Sequence, residues 1–131
     1  MTISNPTDYT LTKKDNLDTV AKADLIVQIA DDMKALRIEN LDVRKKTAVT
    51  SRMVIVSGTS DTHIRAITER VLERMREQGI KPNRKDPGPG GGWLLLDYGD
   101  VVFHAMLEEK RQFYDLETLW NAIQPNPDLL D

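Results

Sequence analysis

The segment from Trp93 to Ala105 constrains the fold more than any other part of the sequence. It contains two short apolar runs, Trp93 to Asp97 and Val101 to Ala105, joined around Tyr98-Gly99. A two-residue loop with glycine in second place is typical of a type I′ turn between antiparallel strands. The sequence therefore predicts a β-hairpin here.

The register of this hairpin follows from its loop. With Tyr98 and Gly99 as the turn, Asp97 lies opposite Asp100 and Trp93 lies opposite His104. Directly opposed residues share a face of the sheet. One predicted face is a core surface, made of Leu94, Leu96, Val101 and Phe103. The other face is mixed in character and carries Trp93, Leu95, Val102 and His104, with Asp97 and Asp100 at the turn end.

The mixed face has two interpretations. A C-terminal segment could cover it, which would make Trp93 a core residue and His104 a buried, hydrogen-bonded histidine. Alternatively, the face binds a partner, because a tryptophan ringed by aliphatic side chains and flanked by carboxylates has the composition of an interface hot spot. Asp97 and Asp100 would then favour a basic partner. We expect the second arrangement, with these side chains facing outward together.

A helix and two strands are predicted before the hairpin. Apolar residues recur at helical spacing from Leu17 to Leu36, and Asn16 or Asp18 can cap the start of that helix. Strands are expected from Ile38 to Val43 and from Arg52 to Val56.

A second helix follows the turn Ser57-Gly58-Thr59-Ser60. Thr59 or Ser60 is a suitable N-cap, and Gly79 is suited to a left-handed position at the other end. A short strand from Ile80 to Arg84 would complete a βαβ unit, which favours parallel pairing.

The remaining segments are shorter. Asp86 to Gly92 is rich in proline and glycine and indicates a flexible spacer loop. Leu107 to Phe113 is expected to form a short helical turn. Asp115 can cap a last helix through Leu116, Leu119, Trp120 and Ile123, which ends before Pro125.

The composition indicates one α/β domain. The chain has 131 residues, of which 40% are hydrophobic, and a net charge of −3, which argues against DNA or membrane binding driven by basicity. Its lack of cysteine excludes a thiolate metal site, and it has no apolar run long enough to cross a bilayer. We expect a cytoplasmic protein with a flexible lead-in at residues 1–16, a domain at 17–123 and a loose tail at 124–131.

No motif for catalysis stands out. The turn at Ser57 to Ser60 could hold an anion with its amides, but it lacks the lysine and spacing of a P-loop, and a capped helix start explains it. Asp97 and Asp100 offer too few oxygen ligands for a hard cation. We therefore expect no enzyme activity, no metal and no cofactor.

The order of motifs resembles the ribosomal silencing factor family, also called RsfS or Iojap. The resemblance covers roughly residues 17 to 121 and is most specific from Trp93 through Trp120. The segments that carry it are Met53 to Ser60, His63, Gly79-Ile80-Lys81-Pro82, Trp93 to His104 and Arg111 to Trp120.

This resemblance implies a single domain with a mixed sheet of about five strands, flanking helices and a nucleotidyltransferase-like topology. It implies a factor that binds the large ribosomal subunit through ribosomal protein L-fourteen, sterically blocks subunit association and represses translation when nutrients are short. It also allows a homodimer. The positions that match the family's partner-facing motif are Trp93, Leu95, Asp97, Tyr98, Asp100 and His104.

The sequence departs from the family pattern at two places. Ser51 and Arg52 stand where the family usually has an aspartate followed by an aromatic residue. The family's loop before the tryptophan usually carries acidic residues after a glycine, and here that loop is Asp86-Pro87-Gly88-Pro89-Gly90-Gly91-Gly92. The alternative function is a nucleotidyltransferase-like nucleotide-binding protein, because Gly58-Thr59-Ser60 is similar to the Gly-Ser turn of that superfamily. That alternative needs a pair of carboxylates at Asp-x-Asp spacing after the turn, and no such pair follows.

Overall fold

The computed structural model describes residues 18–88 and 90–129. The predicted lead-in at 1–16 lies outside the described residues. The described chain forms four helices and five strands, in the order α1 (Thr19–Asp32), β1 (Leu36–Asp42), β2 (Arg52–Gly58), α2 (Asp61–Glu77), β3 (Arg84–Pro87), β4 (Trp93–Asp97), β5 (Val101–Leu107), α3 (Glu108–Tyr114) and α4 (Leu116–Ala122).

The five strands form one mixed sheet in the order β1-β2-β5-β4-β3. Strand β2 runs parallel to β5, while the pairs β1–β2, β4–β5 and β3–β4 are antiparallel. The predicted class, an α/β fold with a mixed five-stranded sheet and flanking helices, is confirmed.

The predicted strand from Ile80 to Arg84 is wrong, and so is its parallel pairing. The amide of Ile80 instead bonds back to the Met75 carbonyl at 3.0 Å and belongs to the end of α2. Pro82 has no amide hydrogen to donate to a neighbouring strand. The next strand begins only at Arg84 and pairs antiparallel with β4, so the position beside β2 is filled by β5. Asp86 and Pro87, predicted as loop, belong to this edge strand.

Both long helices pack on one face of the sheet. The N-caps agree with the prediction, because Asp18 accepts from the Ala21 amide at 2.8 Å and Ser60 accepts from the His63 amide at 3.0 Å. Gly58 is required where β2 meets α2, since a Cβ there would lie 2.5 Å from Cγ2 of Ile64. The resulting core is apolar and includes Ile26, Val54, Ile67 and Phe103, all without exposed surface.

The opposite face of the sheet is covered only in part, by α3 and α4. A smaller apolar cluster lies there, built on Met53, Ile55 and Met106. The side chains packed against it are Leu41, Trp93, Tyr114, Leu116 and Trp120. In the described part of the chain, no helix has the length and apolar character needed to cross a membrane.

Candidate partner-binding surface

The hairpin turn lies one residue later than predicted. The Tyr98 amide donates to the Val101 carbonyl at 2.9 Å, so the two turn residues are Gly99 and Asp100. Among residues of the turn, only Gly99 has a positive φ, +88°, and glycine at the first central position is the pattern of a type II′ turn. Asp97 favours this turn, because its Oδ1 accepts from the Gly99 amide at 2.8 Å.

The predicted register is therefore wrong. Trp93 lies opposite Met106, and His104 lies opposite Leu95. Moving the turn by one residue shifts the pairing by two positions, which leaves the alternation of faces unchanged. The side chains of Trp93, Leu95, Asp97, Val102 and His104 consequently still share one face of the hairpin.

Two of the six predicted site residues lie on the other side. Tyr98 is only 6% exposed and belongs to the core beneath α1 and α2, where burial raises the pKa of its hydroxyl. The Asp100 carboxylate accepts from Thr19 Oγ1 at 2.6 Å and pairs with Lys22 Nζ at 3.0 Å. Asp100 thus joins the turn to the start of α1, and its side chain does not share the face of the hairpin on which Asp97 lies.

His104 supports Trp93 from inside the protein. Its side chain is 5% exposed, and its Nδ1 accepts from Nε1 of Trp93 at 3.0 Å. Burial lowers the pKa of His104 to about 4, so the ring is neutral and the proton lies on Nε2. That Nε2 has no hydrogen-bond partner among the described residues.

The C-terminal segment packs on the same face of the sheet. The ring of Tyr114 from α3 lies 4.8 Å from the Trp93 ring, and Trp120 from α4 packs over the cluster around Ile55. The interpretation that a C-terminal segment covers this face is therefore correct for His104. The expectation that Trp93 and His104 face outward together is wrong, because Trp93 is half-buried whereas His104 is only 5% exposed.

Arg111 fixes the covering segment, and sequence reasoning gave it no role. Its side chain is 2% exposed, donates to Ser57 Oγ at 3.0 Å, and pairs with Glu117 through Nε at 2.7 Å. It thereby joins β2, α3 and α4. The available signal was its spacing from Tyr114, because residues three apart share one side of a helix.

The half of the face beyond this segment remains accessible. Trp93, Leu95 and Asp97 of β4 are each half-buried. On β3, Asp86 lies opposite Leu95 and Arg84 lies opposite Asp97, so these side chains share the face. An edge strand and its neighbour thus present an apolar centre with a polar border, a composition suited to binding another macromolecule.

The described residues offer little for metal or nucleotide chemistry. They contain no group of three or more histidine, cysteine, aspartate or glutamate side chains that could hold a metal ion. In the turn before α2, the Thr59 amide already donates to Nδ1 of His63 at 3.0 Å. The charged residues that line the cleft beside this turn are Asp61, Glu108, Glu109 and Arg37, and this net negative charge disfavours phosphate.

The sequence matches a family model described as "Ribosomal silencing factor during starvation" over residues 16–130. A ribosomal silencing factor of Chromobacterium violaceum is 33% identical over 102 residues, which cover 78% of this chain and 84% of that protein. The chloroplastic Iojap protein of Zea mays is 32% identical over 120 residues, and these cover 92% of this chain and 52% of the maize protein.

The fold has a matching crystal structure. A protein from Chromobacterium violaceum superposes with a TM-score of 0.76 at 30% sequence identity, covering 87% of this chain and 95% of that one. The arrangement of one small α/β domain is therefore shared with that protein.

Proposed function

Because this chain belongs to the ribosomal silencing factor family, we propose that it binds the large ribosomal subunit and represses translation. Binding occurs through ribosomal protein L-fourteen, and the bound factor occupies the surface on which the small subunit would dock. Subunits then fail to join when nutrients are short. This action is steric and needs no catalysis, metal or cofactor.

The observation that carries this proposal is the accessible half of the sheet face. Trp93 and Leu95 offer apolar area that is only half-buried, and the Asp97 carboxylate lies beside them. A partially exposed tryptophan next to a leucine has the composition of an interface hot spot, and the carboxylate favours a basic partner.

The six partner-binding residues then divide by role. We assign direct contact to Trp93, Leu95 and Asp97. Tyr98 and Asp100 fix the hairpin turn from the α1 side, and His104 lies beneath Trp93. The action takes place in the cytoplasm. The resemblance also allows a homodimer, and light scattering of the purified chain measures its oligomeric state.

Co-sedimentation with isolated large subunits tests the proposal. Trp93→Ala and Asp97→Lys should each weaken binding by about 30-fold, since loss of a hot spot costs about 2 kcal/mol. Asp24→Lys is the matched control, because it makes the same charge change at an exposed position of α1 on the other face of the sheet. It should bind like the natural chain.

The same variants are compared in a subunit-joining assay. The natural chain should lower the light scattered by mixed small and large subunits, and the Asp97→Lys chain should not. A folded Asp97→Lys chain that sediments and inhibits like the natural chain contradicts the proposed surface.

A further inference from the structure

We propose that Gly88, His104 and Tyr114 are positioning residues that hold the Trp93 indole in one orientation, with its N–H inside the protein and only ring carbons facing the partner. This inference rests on the proposed function and specifies the chemistry of the partner at Trp93. The partner has to supply apolar surface there, because the indole has no hydrogen bond left to donate.

Gly88 contributes the first contact. A Cβ at this position would lie 2.4 Å from Cδ2 and 2.5 Å from Cγ of Trp93, so the indole lies directly on the glycine backbone. The Gly88 amide also donates to the Trp93 carbonyl at 2.7 Å. The loop that the sequence indicates to be a spacer therefore forms one wall of the indole site, and only glycine fits there.

His104 contributes the second contact. The 3.0 Å hydrogen bond between Nε1 of Trp93 and Nδ1 of His104 fixes which edge of the indole points inward. The imidazole cannot turn away easily, since it is 5% exposed and lies between Leu95 and Ile55 on the neighbouring strands. A buried acceptor held in this way determines the orientation of the indole, and leaving it unpaired would be unfavourable.

Tyr114 contributes the third contact. Its ring lies 4.8 Å from the Trp93 ring at an interplanar angle of 51°, which is a favourable tilted arrangement. Phe113 packs edge-on against Tyr114 at 5.0 Å. The end of α3 thus confines the indole on the side that faces the C-terminal segment.

These three contacts act before any partner arrives. A side chain held in its binding orientation loses less conformational freedom on binding than a free one, so the affinity gained from its apolar contact is larger. Asp97, which lies on the same strand and the same face as Trp93, then makes the polar contact with the partner.

The orientation can be measured without a partner, by NMR of the indole N–H. The chain has two tryptophans, so a Trp120→Phe background leaves the signal of Trp93 alone. In this background, His104→Leu should move the indole proton upfield and speed its exchange with solvent, because the hydrogen bond is lost. His104→Asn keeps an acceptor oxygen near the place of Nδ1 and should retain both properties.

Binding to isolated large subunits is measured with the natural Trp120. We expect His104→Leu and Gly88→Ala to weaken binding about three- to tenfold, the range expected when one side chain must be ordered on association. His104→Asn should bind within about twofold of the natural chain. Gly88→Ala perturbs the orientation of the Trp93 indole without changing His104. If one of the two variants fails to fold, the other still tests the orientation.

The outcomes separate this inference from the proposed function. An unchanged indole signal in His104→Leu overturns the positioning role, whatever the binding result. A displaced signal with unchanged binding in both His104→Leu and Gly88→Ala also overturns it, provided that Trp93→Ala weakens binding. If Trp93→Ala binds normally, the proposed surface is wrong, and the NMR comparison of His104→Leu with His104→Asn still decides whether the indole is held.

Discussion

The two faces of the sheet differ in how they are closed. The face beneath α1 and α2 is a mainly apolar core in which Val54, Val56 and Phe103 have no exposed surface. The face beneath α3 and α4 mixes apolar side chains with buried polar groups, including His104 and Arg111, and none of the seven residues of α4 is fully buried.

This difference separates stability from recognition. Apolar burial is the larger source of folding free energy, and most of the fully buried apolar side chains lie on the α1–α2 face. The opposite face leaves β3 and β4 accessible, and its buried polar groups hold the accessible side chains in fixed places. A surface that binds a partner requires such incomplete closure, because a sealed face presents nothing to recognise.

The largest expected effect is on the sealed face. Phe103→Ala removes a fully buried ring and should lower the free energy of unfolding by about 3–5 kcal/mol. Leu95→Ala, on the accessible part of the other face, should lower it by about 1 kcal/mol, because the leucine is only half-buried. Urea unfolding followed by circular dichroism measures both values. Equal losses would contradict the distinction between the two faces.

Local features of the fold could be predicted from the sequence. The N-caps Asp18 and Ser60 and the strand Trp93–Asp97 all depend on neighbouring residues, and the structure has them as predicted. The strand expected at Ile80 was wrong because its outcome depends on which distant strand lies beside β2. Competition between β5 and a third strand for that position is not visible in any local pattern.

The candidate surface was predictable in part. Alternation along the strands places Trp93, Leu95 and Asp97 together whichever turn is used, so this part did not depend on the register. Assigning Asp100 to the same face required the turn type, which the single glycine left open. His104 lies beneath the Trp93 indole, on which the Tyr114 ring packs, and such tertiary contacts are not visible in any local pattern.

The second prediction concerns pH and the buried imidazole. Burial lowers the pKa of His104 to about 4 in the folded chain, while in the unfolded chain the imidazole has its ordinary pKa of 6.5. The unfolded state therefore binds more protons between these values, so stability is complete above about pH 6.5 and falls as the pH drops toward 4. A pKa shift of this size in one group should lower the free energy of unfolding by about 2–3 kcal/mol between pH 7 and pH 4.5.

The measurement compares the natural chain with His104→Asn by urea unfolding at pH 7 and pH 4.5. The asparagine chain cannot take up this proton. Between pH 7 and pH 4.5, its free energy of unfolding should therefore fall by about 2–3 kcal/mol less than that of the natural chain. Asp42, whose pKa is lowered to about 2 mainly by its hydrogen bond with Arg44, is present in both chains and cancels in the difference. Identical pH dependence of the two chains would show that His104 is accessible to protons, which would remove the contrast between the covered and accessible halves of this face.

The smallest effect concerns how the covering segment is held. Arg111→Met leaves the Glu117 carboxylate without its closest cation, at a side chain that is 17% exposed. Because Glu117 keeps some contact with water, we expect a loss of about 1–2 kcal/mol, below the range of a fully buried ion pair. Adding Glu117→Gln to Arg111→Met should recover most of this loss, since it removes a carboxylate whose nearest remaining cation is Arg37 at 3.9 Å, and a double-mutant cycle measures the coupling. Tryptophan emission reports where the loss arises: in Arg111→Met it should shift to longer wavelength below the unfolding transition, as Trp120 leaves the cluster around Ile55. A loss of stability without that shift would mean that Arg111 stabilises β2 and α3 alone, and that α4 is held by its apolar contacts.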